Sequence, residues 1–154
     1  VRSRGLGDVY KRQIEYHAIE AFPLQKNEIE ALQFANNEEE SAIFNRIHQA
    51  DWNKKQIITD QFIIFKEDKK IQQLNLPLSY YDVIFYDAFS PNTQPEMWTA
   101  ENLEKITTAM QKNGVFTTYC VKGDIKRILK SQGLEIIKQM GPEGKREILN
   151  AIKR

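Results

Sequence analysis

Two acids stand where apolar strands are expected to stop. Asp87 follows Val83, Ile84, Phe85 and Tyr86, a short apolar run rich in β-branched and aromatic residues, which suits a parallel strand covered on both faces. Beyond it lies a Pro-containing loop, AFSPNTQP. Glu20 likewise ends the stretch IEYHAIE, after which Pro23 opens a helical region. In open α/β sheets ligands bind just beyond the carboxyl ends of the strands, so a carboxylate at either position is placed to meet one. An acid ending the second strand of a nucleotide fold accepts hydrogen bonds from ribose hydroxyls, which is the chemistry open to Glu20. Each acid also has a plain structural reading. Asp87 can form an Asx turn or cap the next helix, and Glu20 can be a helix N-terminal acid favoured by the dipole. Asp82, at the other end of the apolar run, reads as a solvated strand entrance.

Regular elements must carry these acids. Ile29 with Leu32, then Ile43, Phe44 and Ile47, have the spacing of amphipathic helices, and Glu38 to Glu40 before Ser41 mark a helix start. Gln61 to Phe65 is a third strand, followed by the charged stretch KEDKK, in which Glu67 and Asp68 read as an exposed loop. Thr99 can cap a helix running to about Lys112, with Leu103, Ile106 and Met110 on one face and Asn113-Gly114 as its stop. VFTTYC is the next buried strand; Asp124 caps a helix bearing Ile125, Ile128 and Leu129, ended by Gly133. Leu134 to Gln139 and Glu147 to Ile152 read as two strands joined by the loop GPEGK.

At 154 residues, 41% hydrophobic and 28% charged, the chain has the composition of an ordinary globular domain able to bury a core. No apolar run reaches membrane-spanning length, and the polar, basic start has no signal-peptide core. Cys120 is the lone cysteine, which suits a reducing, cytoplasmic compartment. With only Lys122 nearby, it reads as a packed strand-end residue rather than a thiolate nucleophile. His17 and His48 have no Cys or acid at ligand spacing, so no metal site is expected. The net charge of +1 divides into +3 for residues 1–13, −7 for 14–119 and +5 for 120–154. A basic C-terminal third is compatible with a phosphate backbone or with a merely solvated face.

Residues 1–13, VRSRGLGDVYKRQ, read as a non-native leader ahead of the domain formed by 14–154. Gly5-Leu6-Gly7 has the look of a nucleotide loop, but Val1 to Arg4 make no strand before it and Asp8 to Gln13 no amphipathic helix after it.

The pattern of apolar strand, Asp87, Ala88, Phe89, Ser90 and Pro91, continued by Pro95, Glu96, Met97, Trp98 and Thr99, resembles the methyltransferase family that completes 5-methylaminomethyl-2-thiouridine at the tRNA wobble position. Ile19, Glu20, Pro23 and Leu24 resemble its second strand. Lys122, Gly123, Arg127, Gly133, Gly141, Pro142, Gly144, Lys145, Arg146 and Glu147 resemble its C-terminal portion. The similarity runs from about Ile14 to the end of the chain.

That resemblance implies an α/β, Rossmann-like class I fold whose first strand and glycine loop are missing. It implies S-adenosylmethionine as donor and the aminomethyl group of the wobble uridine of tRNA as acceptor. Glu20 would hold the cofactor ribose, Asp68 the adenine amino group, with Asp87 and Ala88 also at the cofactor. Phe89, Pro91 and Trp98 would wall the base, with packing under the loop as the alternative, more so for Trp98 than for Phe89; Lys122, Lys145 and Arg146 would meet phosphate or base, with plain surface charge as the alternative. Asp87 would hold the amine N–H groups and offset charge passing from sulfur to nitrogen. An ordinary carboxylate is a poor base for an amine whose pKa is near 10, so orientation comes first and proton removal only in a dry site. Glu20 and Asp87 are expected at one cleft. No flavin oxidase domain follows in the sequence given, which implies a stand-alone transferase. A chain starting at the second strand is expected to be marginally stable and, as given, inactive, because a central strand's burial is worth on the order of 10 kcal/mol. The rival readings are a polyamine aminopropyltransferase-like enzyme and a non-catalytic RNA-binding module.

Overall fold

A computed structural model describes residues 2–4, 13–140 and 147–154. The chain forms two compact units, Val1–Leu74 and Asn75–Arg154, where the length alone suggested one.

In the first unit the strands β1 (Arg2–Arg4), β2 (Gln13–Ile19), β3 (Lys55–Thr59) and β4 (Phe62–Glu67) make a sheet in the order β1-β2-β4-β3. β2 and β4 run parallel, from Ile14 beside Phe62 to Ile19 beside Glu67. The helices α1 (Lys26–Glu30) and α2 (Glu38–Gln49) lie on the connection between β2 and β3. Asn37 starts α2 by accepting the Glu40 N–H, and the acids at 38–40 complement the helix dipole. Ile43 and Ile47 on α2 pack with Tyr16, Phe62, Ile64, Ile58 and Ala50 to form this unit's core.

Three readings of this half change. Arg2–Arg4 does form a strand, antiparallel to β2, although the sequence there has no apolar run; the strand is made by main-chain pairing with its neighbour. The glycines at 5 and 7 lie outside the described residues. β3 pairs antiparallel with β4 as a hairpin that the sequence did not signal. Finally β4 continues through Lys66 and Glu67, where the charged sequence reads as a loop. Lys66 is only 6% exposed, and its Nζ donates to the carbonyls of Ile47 and His48 at 3.1 and 3.0 Å, closing the C-terminal end of α2.

The second unit has the order β5-β6-β8-β7, from β5 (Tyr81–Phe85), β6 (Met110–Thr118), β7 (Leu134–Met140) and β8 (Glu147–Lys153). β5 and β6 are parallel, and β8 runs antiparallel to both β6 and β7. One face carries the fully buried Phe116, Leu149 and Ala151 with Leu134, and α3 (Ala100–Ala109) and α4 (Gly123–Ser131) contribute Leu103, Ile106, Ile125 and Leu129 to the core. Each of these Leu, Ile and Phe side chains is worth about 1.5–3 kcal/mol of burial. Thr99 caps α3 as expected, but the helix ends at Ala109 and Met110 already pairs with Tyr81. The register then slips so that Val83 meets Val115, and Asn113 takes up the bulge with φ 65°. Gly114 is required there: a Cβ would lie 2.9 Å from the Gln111 carbonyl oxygen and 3.0 Å from that of Tyr81. Lys153 closes α3 as Lys66 closes α2, its Nζ 2.9 Å from the Thr107 carbonyl and 2.8 Å from that of Met110. Lys122, not Asp124, occupies the cap position of α4, and Asp124 sits in the first turn paired with Arg127. Gly133 ends the helix region with φ 83°.

Candidate active site

The carboxyl edge of the β5–β6 pair is built from two loops. Tyr86 extends β5 by one rung, its N–H donating to the Thr117 carbonyl at 2.8 Å. Asp87 comes next and is exposed, with no hydrogen bond or ion pair to any described residue. Neither structural alternative for it is realised. The turn at 90–94 is made by the Ser90 carbonyl, which accepts from Thr93 and Gln94 N–H, and Thr99 caps the next helix. The carboxylate is therefore unspent.

The loop that carries it is fixed from beneath. Trp98 is 4% exposed, and its indole N–H donates to the Phe89 carbonyl at 2.7 Å while its ring meets Tyr86 edge-on at 5.1 Å. Tyr86 donates to the Met97 carbonyl at 2.5 Å, and burial raises its pKa beyond the ordinary phenol range. Trp98 thus packs under the loop, the structural alternative to walling a base. Phe85, expected to be covered on both faces, is instead 61% exposed. Phe89 is 72% exposed on the same loop, Pro91 and Ala88 are half-buried, and Lys122 reaches from the loop after β6 to the Asn92 side chain at 2.6 Å. Sequence reasoning missed Asn92, which ties the two strand-end loops together. It also missed Asn102, whose amide donates to the Glu96 carbonyl at 2.6 Å. Cys120 is half-buried, its N–H bonded to the Thr118 hydroxyl. Lys145 and Arg146 lie outside the described residues.

In the first unit the carboxyl ends of the parallel strands β2 and β4 bring Glu20 and Asp68 to one edge. Glu20 N–H donates to the Glu67 carbonyl at 3.0 Å, which fixes the strand ends side by side. One oxygen of the Glu20 carboxylate accepts the Phe22 N–H at 2.8 Å; the other has no partner among the described residues. Glu20 does not begin a helix, since α1 starts at Lys26 with Gln25 as cap. Asp68 accepts from the Asn53 amide at 2.7 Å. Glu67 is not an exposed loop acid: its side chain, 12% exposed, accepts from His17 Nε2 at 2.7 Å and from Lys69 at 2.8 Å. Burial works to raise the Glu67 pKa, but the Lys69 and His17 hydrogen bonds outweigh it and hold the carboxyl below its ordinary value. Burial lowers the His17 pKa despite the carboxylate.

A depression of about 540 Å³ lined by Asn36, Asn37, Glu38 and Ser41 lies at the start of α2, and none of the strand-end acids lines it. Among the described residues no group of His, Cys, Asp and Glu could hold a metal ion, and no helix is long and apolar enough to cross a membrane.

Residues 41–154 match the model of a family of S-adenosyl-L-methionine-dependent methyltransferases. The chain belongs to that family. It is 37% identical over 71 residues to the tRNA 5-methylaminomethyl-2-thiouridine biosynthesis bifunctional protein MnmC of Acinetobacter baylyi, a match over 46% of this chain and 11% of that protein. The MnmC of Pseudoalteromonas atlantica is 27% identical over 105 residues, 68% of this chain and 15% of the relative. The chain thus spans only about a tenth to a seventh of these curated relatives. The crystal structure of MNMC2 from Aquifex aeolicus shares the fold with a TM-score of 0.64 at 20% identity, covering 90% of this chain and 43% of that one. The Rossmann-like α/β fold is therefore that of this family, with the antiparallel β7–β8 pair in its expected place.

Proposed function

We propose that this methyltransferase acts on tRNA, methylating the nitrogen of an aminomethyl group on the wobble 2-thiouridine. The observation that carries the reading is the unspent Asp87 carboxylate at the end of β5, on a loop anchored by Trp98 and followed by the exposed Phe89. The names of the relatives supply the substrate class.

The strand-end acids fit the cofactor. Glu20 has an oxygen left for ribose hydroxyls, and Asp68, one strand over, can accept from an exocyclic amine. S-adenosylmethionine, when bound, supplies an electrophilic methyl group on a sulfonium. Asp87 would accept N–H bonds from the neutral acceptor amine and so orient its lone pair, and its carboxylate would stabilise the positive charge that passes from sulfur to nitrogen as the methyl group is transferred. The ammonium proton then leaves to solvent. Phe89 offers a ring face on which the extruded uracil stacks, and Pro91 fills beside it. Lys122, Lys145 and Arg146 serve the phosphates, and a tRNA substrate places the reaction in the cytoplasm.

The test is transfer of labelled methyl from the cofactor to tRNA bearing the aminomethyl group, with spermidine and putrescine as competing acceptors. Label in the wobble nucleoside is expected. Label in polyamine would favour the aminopropyltransferase-like reading, and tRNA binding without any transfer the RNA-binding module.

A further inference from the structure

The helix α4 presents an interaction surface that the strand-end acids do not explain. Lys122, Lys126 and Lys130 are four residues apart, so each step climbs about 6 Å and turns about 40°, and the three ammonium groups form one stripe about 12 Å long. The stripe runs beside the buried edge of the helix, where Ile125 and Leu129 enter the core. Lys122 and Lys130 are exposed and Lys126 half-buried. The acid on the helix, Asp124, is already paired with Arg127, and Lys126 and Lys130 have no carboxylate partner among the described residues. The stripe also has a fixed origin: Lys122 is bonded to Asn92, on the loop that begins with Asp87.

We propose that this stripe is a phosphate-backbone track for the RNA substrate, leading away from Asp87 along α4, with Lys126 and Lys130 as contacts beyond the reacting nucleotide. Isolated surface lysines are solvated and cost nothing to leave unpaired. A line of them that starts at the acceptor-binding loop instead neutralises successive phosphates and releases their counterions. The inference rests on the tRNA reading above and deepens it by naming where the rest of the RNA lies.

The experiment measures tRNA affinity against salt concentration for the parent chain, K126A/K130A, K126R/K130R, and a control, K54A/K112A, that removes equal charge elsewhere. The cofactor dissociation constant and thermal melt of each protein are measured in parallel. The expected result is a log–log salt slope shallower by about 2 for K126A/K130A, about 1 per lysine. The arginine variant and the control should keep the parent slope, and cofactor affinity should not change. An unchanged slope in K126A/K130A, with the parent binding and methylating tRNA, would overturn the track and leave the functional reading intact. A parent that neither binds nor methylates tRNA would overturn both. Binding to phosphatidylglycerol vesicles that exceeds tRNA binding and is lost in K126A/K130A would show a membrane-facing surface and overturn the RNA assignment.

Discussion

His17 donates to Glu67 across the parallel pair β2–β4, at 2.7 Å, two residues before the strand that carries Glu20 gives out. The pair makes the first unit sensitive to acid. Burial, with a smaller effect of Lys55, lowers the His17 pKa below its ordinary 6.5 against the pull of Glu67. The unfolded chain therefore binds a proton more readily than the native one, so stability is complete above pH 6.5 and falls as pH drops through the folded pKa. His48, lowered by burial and then by Lys66, acts in the same direction. Glu67, held below its ordinary 4.5, adds a second loss at lower pH. Melting temperature should fall between pH 7 and 5, and His17→Gln with His48→Gln should flatten that fall. Equal slopes in parent and variant would show that neither histidine is responsible.

Asp87 and Glu20 should separate kinetically. Asp87→Asn keeps the shape of the side chain while removing its charge, and kcat should drop about a hundredfold or more with cofactor affinity little changed. Glu20→Gln should instead weaken cofactor binding about tenfold or more, the cost of losing charge-assisted bonds to hydroxyls. Titration calorimetry and single-turnover methyl transfer distinguish the two. Loss of cofactor binding in Asp87→Asn would move that residue from the acceptor to the donor.

The loop's anchor should be visible in stability. Trp98→Ala empties a buried site and should cost about 3–5 kcal/mol in urea denaturation. Tyr86→Phe removes a single hydroxyl whose acceptor is the Met97 carbonyl and should cost about 1 kcal/mol. A Trp98→Ala variant of parental stability would return that ring to the role of a substrate wall.

Gly114→Ala should destabilise by well over the strand-propensity difference, which spans only about 1 kcal/mol across all residues. The added methyl meets three carbonyl oxygens of the main chain, none of which can swing aside.

Local periodicity made much of this legible. β2, β4, β5, α2, α3, α4 and the β7–β8 pair all follow from apolar runs, helical spacing and a few caps. What stayed hidden depends on partners far along the chain. Lys66 looks like loop charge until α2 is seen to end above it, and Glu67 until His17, fifty positions earlier, is seen beside it. Lys112 looked helical because nothing local announces that Met110 will be claimed by Tyr81. β1 has no apolar signature in its sequence, and its pairing with β2 depends on a partner outside the run itself. The strand-end placement of Glu20 and Asp87 was readable from the apolar runs before them. For Trp98 the sequence left two roles open, packing under the loop ahead of walling a base, because a tryptophan beside a loop has the same sequence appearance whether it faces a ligand or lies beneath.

Lys66 and Lys153 carry a further consequence for how the protein opens. Helices ordinarily fray from their ends, so amide hydrogens in the last turn exchange with solvent before those at the centre. Here the final carbonyls of α2 and α3 are each gripped by an ammonium rooted in a strand. These turns can loosen only when the sheet gives way, so exchange near Ala50 and Met110 should track the global unfolding of each unit, and Lys66→Met or Lys153→Met should release its own helix end to exchange early.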